Sequence, residues 1–583
     1  MEASCQDTLR TLMDYCRIIG KEIDVFAGLM RLGALLSLMM ICCLGCKEPS
    51  MKDLDERQKQ MSNYKNRKVL KPSKNQPALK TNPNIKRRQP IVSDASDLEQ
   101  SYQASRSTAF NTGRAEEVAL RRIGAAVKAS LDVGPTLVVW LVDRTPSANK
   151  LVTDGIASAK ALYDSDEIRQ AATAADPQLL SAVVMFDDQV EFTLDPPTAD
   201  VNQVKAAFDS LQPAQQGKEM TFTAIEQALA KYLAARRDER REVILVVITD
   251  EAGDDQDKVE SLVDIVKRNA IPIYVLGSPA PWGQTNPFVA AGMKPSDPAD
   301  DTFPTHGPES LMSERVNIQM GGTQVGFAAA EDVSMVDSGF GPFALERLCR
   351  ASGGEFIAIR PSAGSIYQYR STSMGHKFWP TGNELRFDPQ VVARYAPDYV
   401  SKVDFEELLK QNKARQALVA AAKQPAIEIG SVPSQRFEKK NEAQMARQLN
   451  SAQQFAARHS PTVDQLYELL NSGEADREKE TSPRIQAEYD LALGRTMAAK
   501  VRLDGYNSML AALKRGKNFE NANSREWLLE QSSKIETGST IQKMAEKATM
   551  YLQRVASDHP GTPWAKLAEQ ELKNPLGWEW KEN

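Results

Sequence analysis

Three short stretches of this chain hold oxygen-bearing side chains at spacings that would let them share a cation. Asp143-Arg144-Thr145-Pro146-Ser147 places a carboxylate and two hydroxyls at alternate positions. Gly217-Lys218-Glu219-Met220-Thr221-Phe222-Thr223 brings two more hydroxyls to the start of a helical pattern. Ile248-Thr249-Asp250 adds a second carboxylate at the end of an apolar run. Hard oxygen donors from three loops, with no sulfur or imidazole among them, suit Mg²⁺, Mn²⁺ or Ca²⁺. The chain shows no P-loop, kinase signature set, GxSxG or HExxH to accompany such an ion with catalysis. The four histidines (His306, His376, His459, His559) are scattered, so a zinc hydrolase has little support.

The elements around these stretches place them on one edge. Residues 136–142 form a continuous apolar, β-rich run, as in a strand buried on both faces. Comparable runs recur at 181–186, 243–249, 271–276 and 355–359. Helical spacing fills the gaps, at 116–130, 148–163, 201–211, 222–236, 257–269 and 342–352. Strands alternating with helices predict an α/β fold, a doubly wound, mostly parallel sheet with helices on both faces. In such sheets ligands bind at the carboxyl ends of the strands. That is where Asp143 and Asp250 fall.

With these residues in order, 135–361 resembles a von Willebrand factor A domain with a metal-ion-dependent adhesion site. The family pattern of Asp-x-Ser-x-Ser, a distant Thr and a later Asp falls on Asp143, Thr145, Ser147, Thr221 and Asp250. Thr221 is the better match than Thr223, being the first of the Thr-x-Thr pair before the helix. Met185 to Val190 resembles the family's third strand and turn. Leu345 to Cys349, followed by Ser352 to Phe356, resembles its last helix and strand. Thr145 departs from the usual Ser, keeping the hydroxyl and adding a methyl. Glu251 stands where a Gly often follows the last Asp. The resemblance implies a divalent cation, Mg²⁺ first and Mn²⁺ or Ca²⁺ as alternatives. It also implies a protein partner, often one whose carboxylate completes the coordination shell, and it brings no catalytic residue. The acidic run Asp254, Asp255 and Asp257 is expected to be a solvated helix start.

Outside this region the expectations are coarser. Residues 280–340 form an insertion rich in Pro, Gly, Asp and Ser, with a hairpin expected around Gly321-Gly322. Residues 362–400 are loop-like, with aromatics expected to pack at a domain junction. The remainder of 362–583 is expected to be all-α, with helices at 403–423, 437–458, 462–471, 485–514, 524–534, 540–557 and 563–573. Tyr551 to Ala565 loosely resembles a tetratricopeptide half-repeat, without a clean 34-residue period. Trp578 and Trp580 are expected to dock back onto the helices.

Composition sets the limits. The 583 residues, at roughly 150 per domain, allow two to four domains. Apolar content of 42% and charged content of 26% exclude a wholly disordered or polytopic membrane chain. The net charge of −5 argues against a nucleic-acid binder acting through bulk charge. Charge is uneven: residues 47–90 hold 13 basic and 4 acidic side chains, and the linker 47–112 reads as a basic, disordered tether. Before it, 32–46 (LGALLSLMMICCLGC) is too short for a comfortable span of about 20 residues. Its positive flank and its ending at Leu44-Gly45-Cys46 resemble a bacterial lipobox, with Cys46 as the lipidated residue. A start at Met30 would place it as a signal peptide; an uncleaved anchor is the alternative. The expected protein is therefore a membrane-anchored envelope lipoprotein, not an enzyme, that binds a protein through a divalent cation. A scaffold with a degenerate site is the second reading, and a Mg²⁺-dependent enzyme the third.

Overall fold

The computed structural model describes residues 115–583 apart from 146–148, 174–177, 213, 215–216, 281, 284–307, 317, 321–337, 360–386, 389, 425–426 and 430–433. Cys46, the basic linker and the Gly321-Gly322 turn lie outside the described residues.

A six-stranded sheet forms the first half. Its strands are β1 (Thr136–Asp143), β2 (Leu179–Phe186), β3 (Val190–Thr198), β4 (Glu242–Ile248), β5 (Ile273–Gly277) and, after a three-residue strand β6 (Ile318–Met320), β7 (Phe356–Ala358). The order is β3-β2-β1-β4-β5-β7. All neighbours run parallel except β3, which follows β2 through a tight turn and pairs with it antiparallel. The sequence patterns for β1, β2, β4, β5 and β7 thus correspond to real strands. Strand β3 has only half-buried and exposed residues and carries Pro196 and Pro197, as suits an edge.

Alternation along β1 separates two cores. Leu137, Val139 and Leu141 face α5 (Thr221–Arg237), α6 (Val259–Asn269) and α7 (Phe343–Ser352). Val138, Trp140 and Val142 face α1 (Ala115–Leu131), α2 (Asn149–Asp164), α3 (Asp166–Thr173) and α4 (Val201–Asp209). Trp140 is fully buried there and donates from Nε1 to the Tyr163 hydroxyl at 2.8 Å. Helix α7 stops at Gly353, whose φ of 81° only glycine adopts readily, and Gly354 follows with no room for a Cβ, which would sit 1.9 Å from the Ile273 carbonyl oxygen.

The second half is helical. It contains α8 (Lys402–Gln411), α9 (Lys413–Ala422), α10 (Glu442–Asn471), α11 (Pro483–Lys514), α12 (Ser539–Asp558) and α13 (Pro563–Leu572). Helix α11 is buried on nearly every side between its neighbours. The expected break near Pro461 is absent: α10 runs through it as one helix. Proline removes one N–H, but Val463, Leu466 and Leu470 continue the buried stripe of Leu449, Ala452 and Ala456. The region is not purely helical. Residues 524–534, expected as a helix, form β10 (Glu526–Ser532), which pairs antiparallel with β9 (Arg436–Glu438) and β11 (Gly577–Glu582). Burial in β10 falls on Trp527 and Leu529, two apart, the strand period that an isolated helical window obscures. The short strand β6 pairs in parallel with β8 (Ile427–Ile429).

A cluster of aromatics joins the halves. Trp282, just after β5, meets Trp564 of α13 edge-on at 5.0 Å, and Phe340, Phe387 and Tyr395 complete the group. Arg484 of α11 is buried between Glu309 and Glu314 of the segment that follows β5. Trp578 and Trp580 donate to the carbonyls of Arg502 and Met509, docking on α11. Among the described residues no helix is long and apolar enough to cross a membrane.

Candidate metal centre

Asp143 is the last residue of β1, and Asp250 follows the end of β4, its neighbour in the sheet. Parallel pairing therefore brings both carboxylates to one edge. Thr221 begins α5, the helix that leads into β4. The expected ligand Ser147 lies outside the described residues.

Asp143 is completely buried and held by short bonds. Its Oδ1 accepts from the Thr145 amide at 2.8 Å and from the Thr145 hydroxyl at 2.7 Å. Its Oδ2 accepts from the Thr249 hydroxyl at 2.7 Å. Burial pushes its carboxyl up to about 6, against the pull of those hydrogen bonds. The methyl that distinguishes Thr145 from Ser is accommodated, since the residue is buried with its hydroxyl still turned to Asp143.

A third carboxylate joins the two expected ones. Glu219, buried two residues before Thr221, offers an oxygen that lies with one from Asp143 and one from Asp250 inside a 4.8 Å group. Its Oε1 also faces the Thr145 hydroxyl at 3.2 Å. The sequence pattern passed over Glu219 because it weighed only the hydroxyls of that loop; a carboxylate two residues before the matched Thr was the available signal.

The surrounding loops are tied together. The Glu219 amide donates to Asp254 Oδ2 at 3.1 Å, and the Asp254 amide returns a bond to the Glu219 carbonyl at 2.8 Å. Asp255 departs from the solvated helix start expected for it. It is buried, and its two oxygens accept from the Phe222 amide at 3.0 Å and the Thr223 amide at 2.6 Å, capping α5 from another loop. Thr223 is engaged there as well, bonding Asp255 and receiving Lys258 Nζ at 2.7 Å. That leaves Thr221 as the hydroxyl turned elsewhere. It is fully buried, its Cβ lies against the 250–253 loop at Gly253, and its Oγ1 has no hydrogen-bond partner among the described residues. An orphaned buried hydroxyl two residues from one of three converging carboxylates is what a bound cation would satisfy. The donor set is all oxygen, so it fits a hard divalent ion. Asp143, Thr145, Glu219, Thr221 and Asp250 are the described residues that would hold it.

Beside this group, Arg144 donates to Asp187 Oδ2 at 2.7 Å and to Glu191 Oε2 at 2.9 Å. Burial opposes ionisation of Asp187, but the Arg144 guanidinium and the Gln189 amide hold its carboxyl below the ordinary range. The arginine is thus spent on its own partners rather than on the three carboxylates.

Residues 168–293 match the family model described as von Willebrand factor type A domain, so the chain carries such a domain. The match begins after β1; that strand, with Asp143 at its end, completes the sheet from outside the matched segment. Among solved structures, the conserved hypothetical protein BatB from Bacteroides thetaiotaomicron is similar at 19% identity over 38% of this chain and 90% of that one, with a TM-score of 0.21. An aerotolerance-related membrane protein from Bacteroides fragilis is similar at 18% over 39% and 92%, with a TM-score of 0.21. The vWF domain of the type V pili tip protein Mfa5 from Porphyromonas gingivalis is similar at 16% over 22% and 49%, with a TM-score of 0.16. No curated protein matches the chain.

Proposed function

We propose that this chain binds a protein partner through a divalent cation, Mg²⁺ first, held at the carboxyl edge of its sheet, and that it does so as a lipoprotein anchored to the cell envelope through Cys46. The observation that carries the metal-dependent part is the buried Thr221 hydroxyl, without a hydrogen-bond partner among the described residues, two residues from Glu219, whose carboxylate groups with those of Asp143 and Asp250. Asp143, Thr145, Glu219, Thr221 and Asp250 would hold such a cation at the carboxyl edge of the sheet. The anchor rests on the lipobox-like ending before Cys46.

The test is Mg²⁺ and Mn²⁺ titration of the purified chain by calorimetry, beside Asp143→Ala. Saturable binding that disappears in the variant is the expected result. A pull-down from envelope extract that captures the same protein with and without chelator would refute metal dependence. Lipid-label incorporation that persists in Cys46→Ser would refute the anchor.

A further inference from the structure

The expectation drawn from the sequence was a cation whose shell is completed by a carboxylate from the partner. Glu219 changes that. Its carboxylate is buried and belongs to the same 4.8 Å group as those of Asp143 and Asp250. Its backbone is fixed on both sides. The amide and carbonyl exchange hydrogen bonds with Asp254, and the next amide, Met220, donates to the Asp187 carbonyl at 3.0 Å. Two residues further on, Asp255 pins the first turn of α5. Glu219 therefore reaches the group from a clamped support, as a pre-organised ligand does.

Charge gives this a consequence. Three carboxylates around a divalent ion leave the loaded group with one net negative charge. Arg144 beside it is engaged by Asp187 and Glu191, whereas Lys218, the residue before Glu219, is exposed. The group already holds three carboxylates, and a fourth from a partner would add to its negative charge.

We infer that Glu219 takes the ligand place otherwise left for a partner's carboxylate, so that this chain holds its cation without one. The inference rests on the reading that the group binds a divalent cation.

The experiment is Mn²⁺ titration by calorimetry on the whole chain, comparing the wild type, Glu219→Gln, Glu219→Asp and Asp143→Ala, each with and without millimolar acetate. The wild type is expected to bind without acetate and to gain nothing from it. Glu219→Gln should bind at least about tenfold more weakly, equivalent to about 1.4 kcal/mol. Acetate should recover part of that loss by filling the vacated place. Acetate in solution also competes for Mn²⁺, so recovery cannot arise from bulk chelation. Glu219→Asp keeps the charge on a shorter stem; it should fall between the two and covers the case in which the glutamine variant fails to fold. Wild-type affinity in Glu219→Gln, or a wild type that binds only with acetate present, overturns the inference alone. Binding that survives in Asp143→Ala, or is missing from the wild type under both conditions, overturns the underlying reading instead.

Discussion

Asp255 should matter to the metal centre although it is not placed as a ligand. Replacing it by Ala removes both acceptors for the Phe222 and Thr223 amides and the acceptor beside the Thr223 hydroxyl. The N-cap residue of α5, Met220, offers no side-chain cap in compensation. Losing an N-cap costs about 0.5–2 kcal/mol, and hydrogen bonds to a charged acceptor contribute about 1.5–3 kcal/mol each. Phe222 is fully buried, so water replaces the lost acceptor poorly. The expected destabilisation is therefore about 2–4 kcal/mol, with a smaller loss in Asp255→Asn, which keeps one acceptor oxygen. Urea unfolding gives the stability, and hydrogen exchange by mass spectrometry gives the local loosening of the first turn of α5. Mn²⁺ affinity should fall too, because Thr221 lies in that turn. A stability change under about 0.5 kcal/mol, within the ordinary range for surface substitutions, would refute the capping argument. Unchanged Mn²⁺ affinity in a clearly destabilised variant would refute the link between cap and site.

Three further predictions concern the helical half and its joint with the sheet. Arg484→Met leaves Glu309 and Glu314 buried without their counter-charge and should cost about 3–5 kcal/mol in urea unfolding. Glu488 is buried, accepting from the Val316 amide at 3.0 Å and from the Trp564 indole, and burial pushes its carboxyl from 4.5 up to about 7. The folded state then holds a proton that the unfolded state has released, so this residue's contribution falls as pH rises from about 4.5 to about 7, by up to about 3 kcal/mol, and is constant above that. Glu488→Gln should remove that slope, and a stability difference between variant and wild type that is flat across the window would refute it. His559 acts in the opposite sense. Burial lowers it from 6.5 to about 4, so its contribution is lost as pH falls through that interval, and His559→Gln should make the variant relatively more stable at the acid end.

The sheet was legible because each of its buried strands is a short run of apolar residues between helical patterns, a signal that survives without knowledge of partners. Asp143 and Asp250 were legible for the same reason: a carboxylate directly after such a run must sit at the carboxyl edge. Glu219 was missed because only the hydroxyls of its loop were weighed, and the reciprocal bonds with Asp254 that fix its backbone join residues 35 apart. Asp255 was misplaced on similar grounds. An acidic residue ahead of a helix looks like that helix's own cap, and here it serves a different helix. Strand β10 was mistaken because its burial comes from β9 and β11, far away in sequence, and a window holding Trp527, Leu528 and Leu529 satisfies helical and strand periods alike.

The helical half is fastened to the sheet half around α7. Helix α7 lies against the sheet, and its Arg347 forms a two-pronged bond with Glu260 of α6 at 2.5 and 2.6 Å. The same guanidinium donates to the Tyr399 carbonyl at 2.8 Å, and the Tyr399 ring stacks on Phe343, at the start of α7. Tyr399 stands just ahead of α8. The chain leaving β5 is held in turn by Arg484 of α11 and by Trp564 of α13. The stretch between β5 and α7 is therefore fastened to the helical half by buried charge and aromatic packing, and the stretch before α8 is fastened to α7. Breaking the buried Arg484 pairs would cost about 3–5 kcal/mol. Removing residues 401–583 would expose Trp282 and strand Glu309 and Glu314 without Arg484. The isolated sheet domain is thus a poor surrogate for the whole chain, and measurements on the cation and its partner belong on a protein that retains α8 to β11.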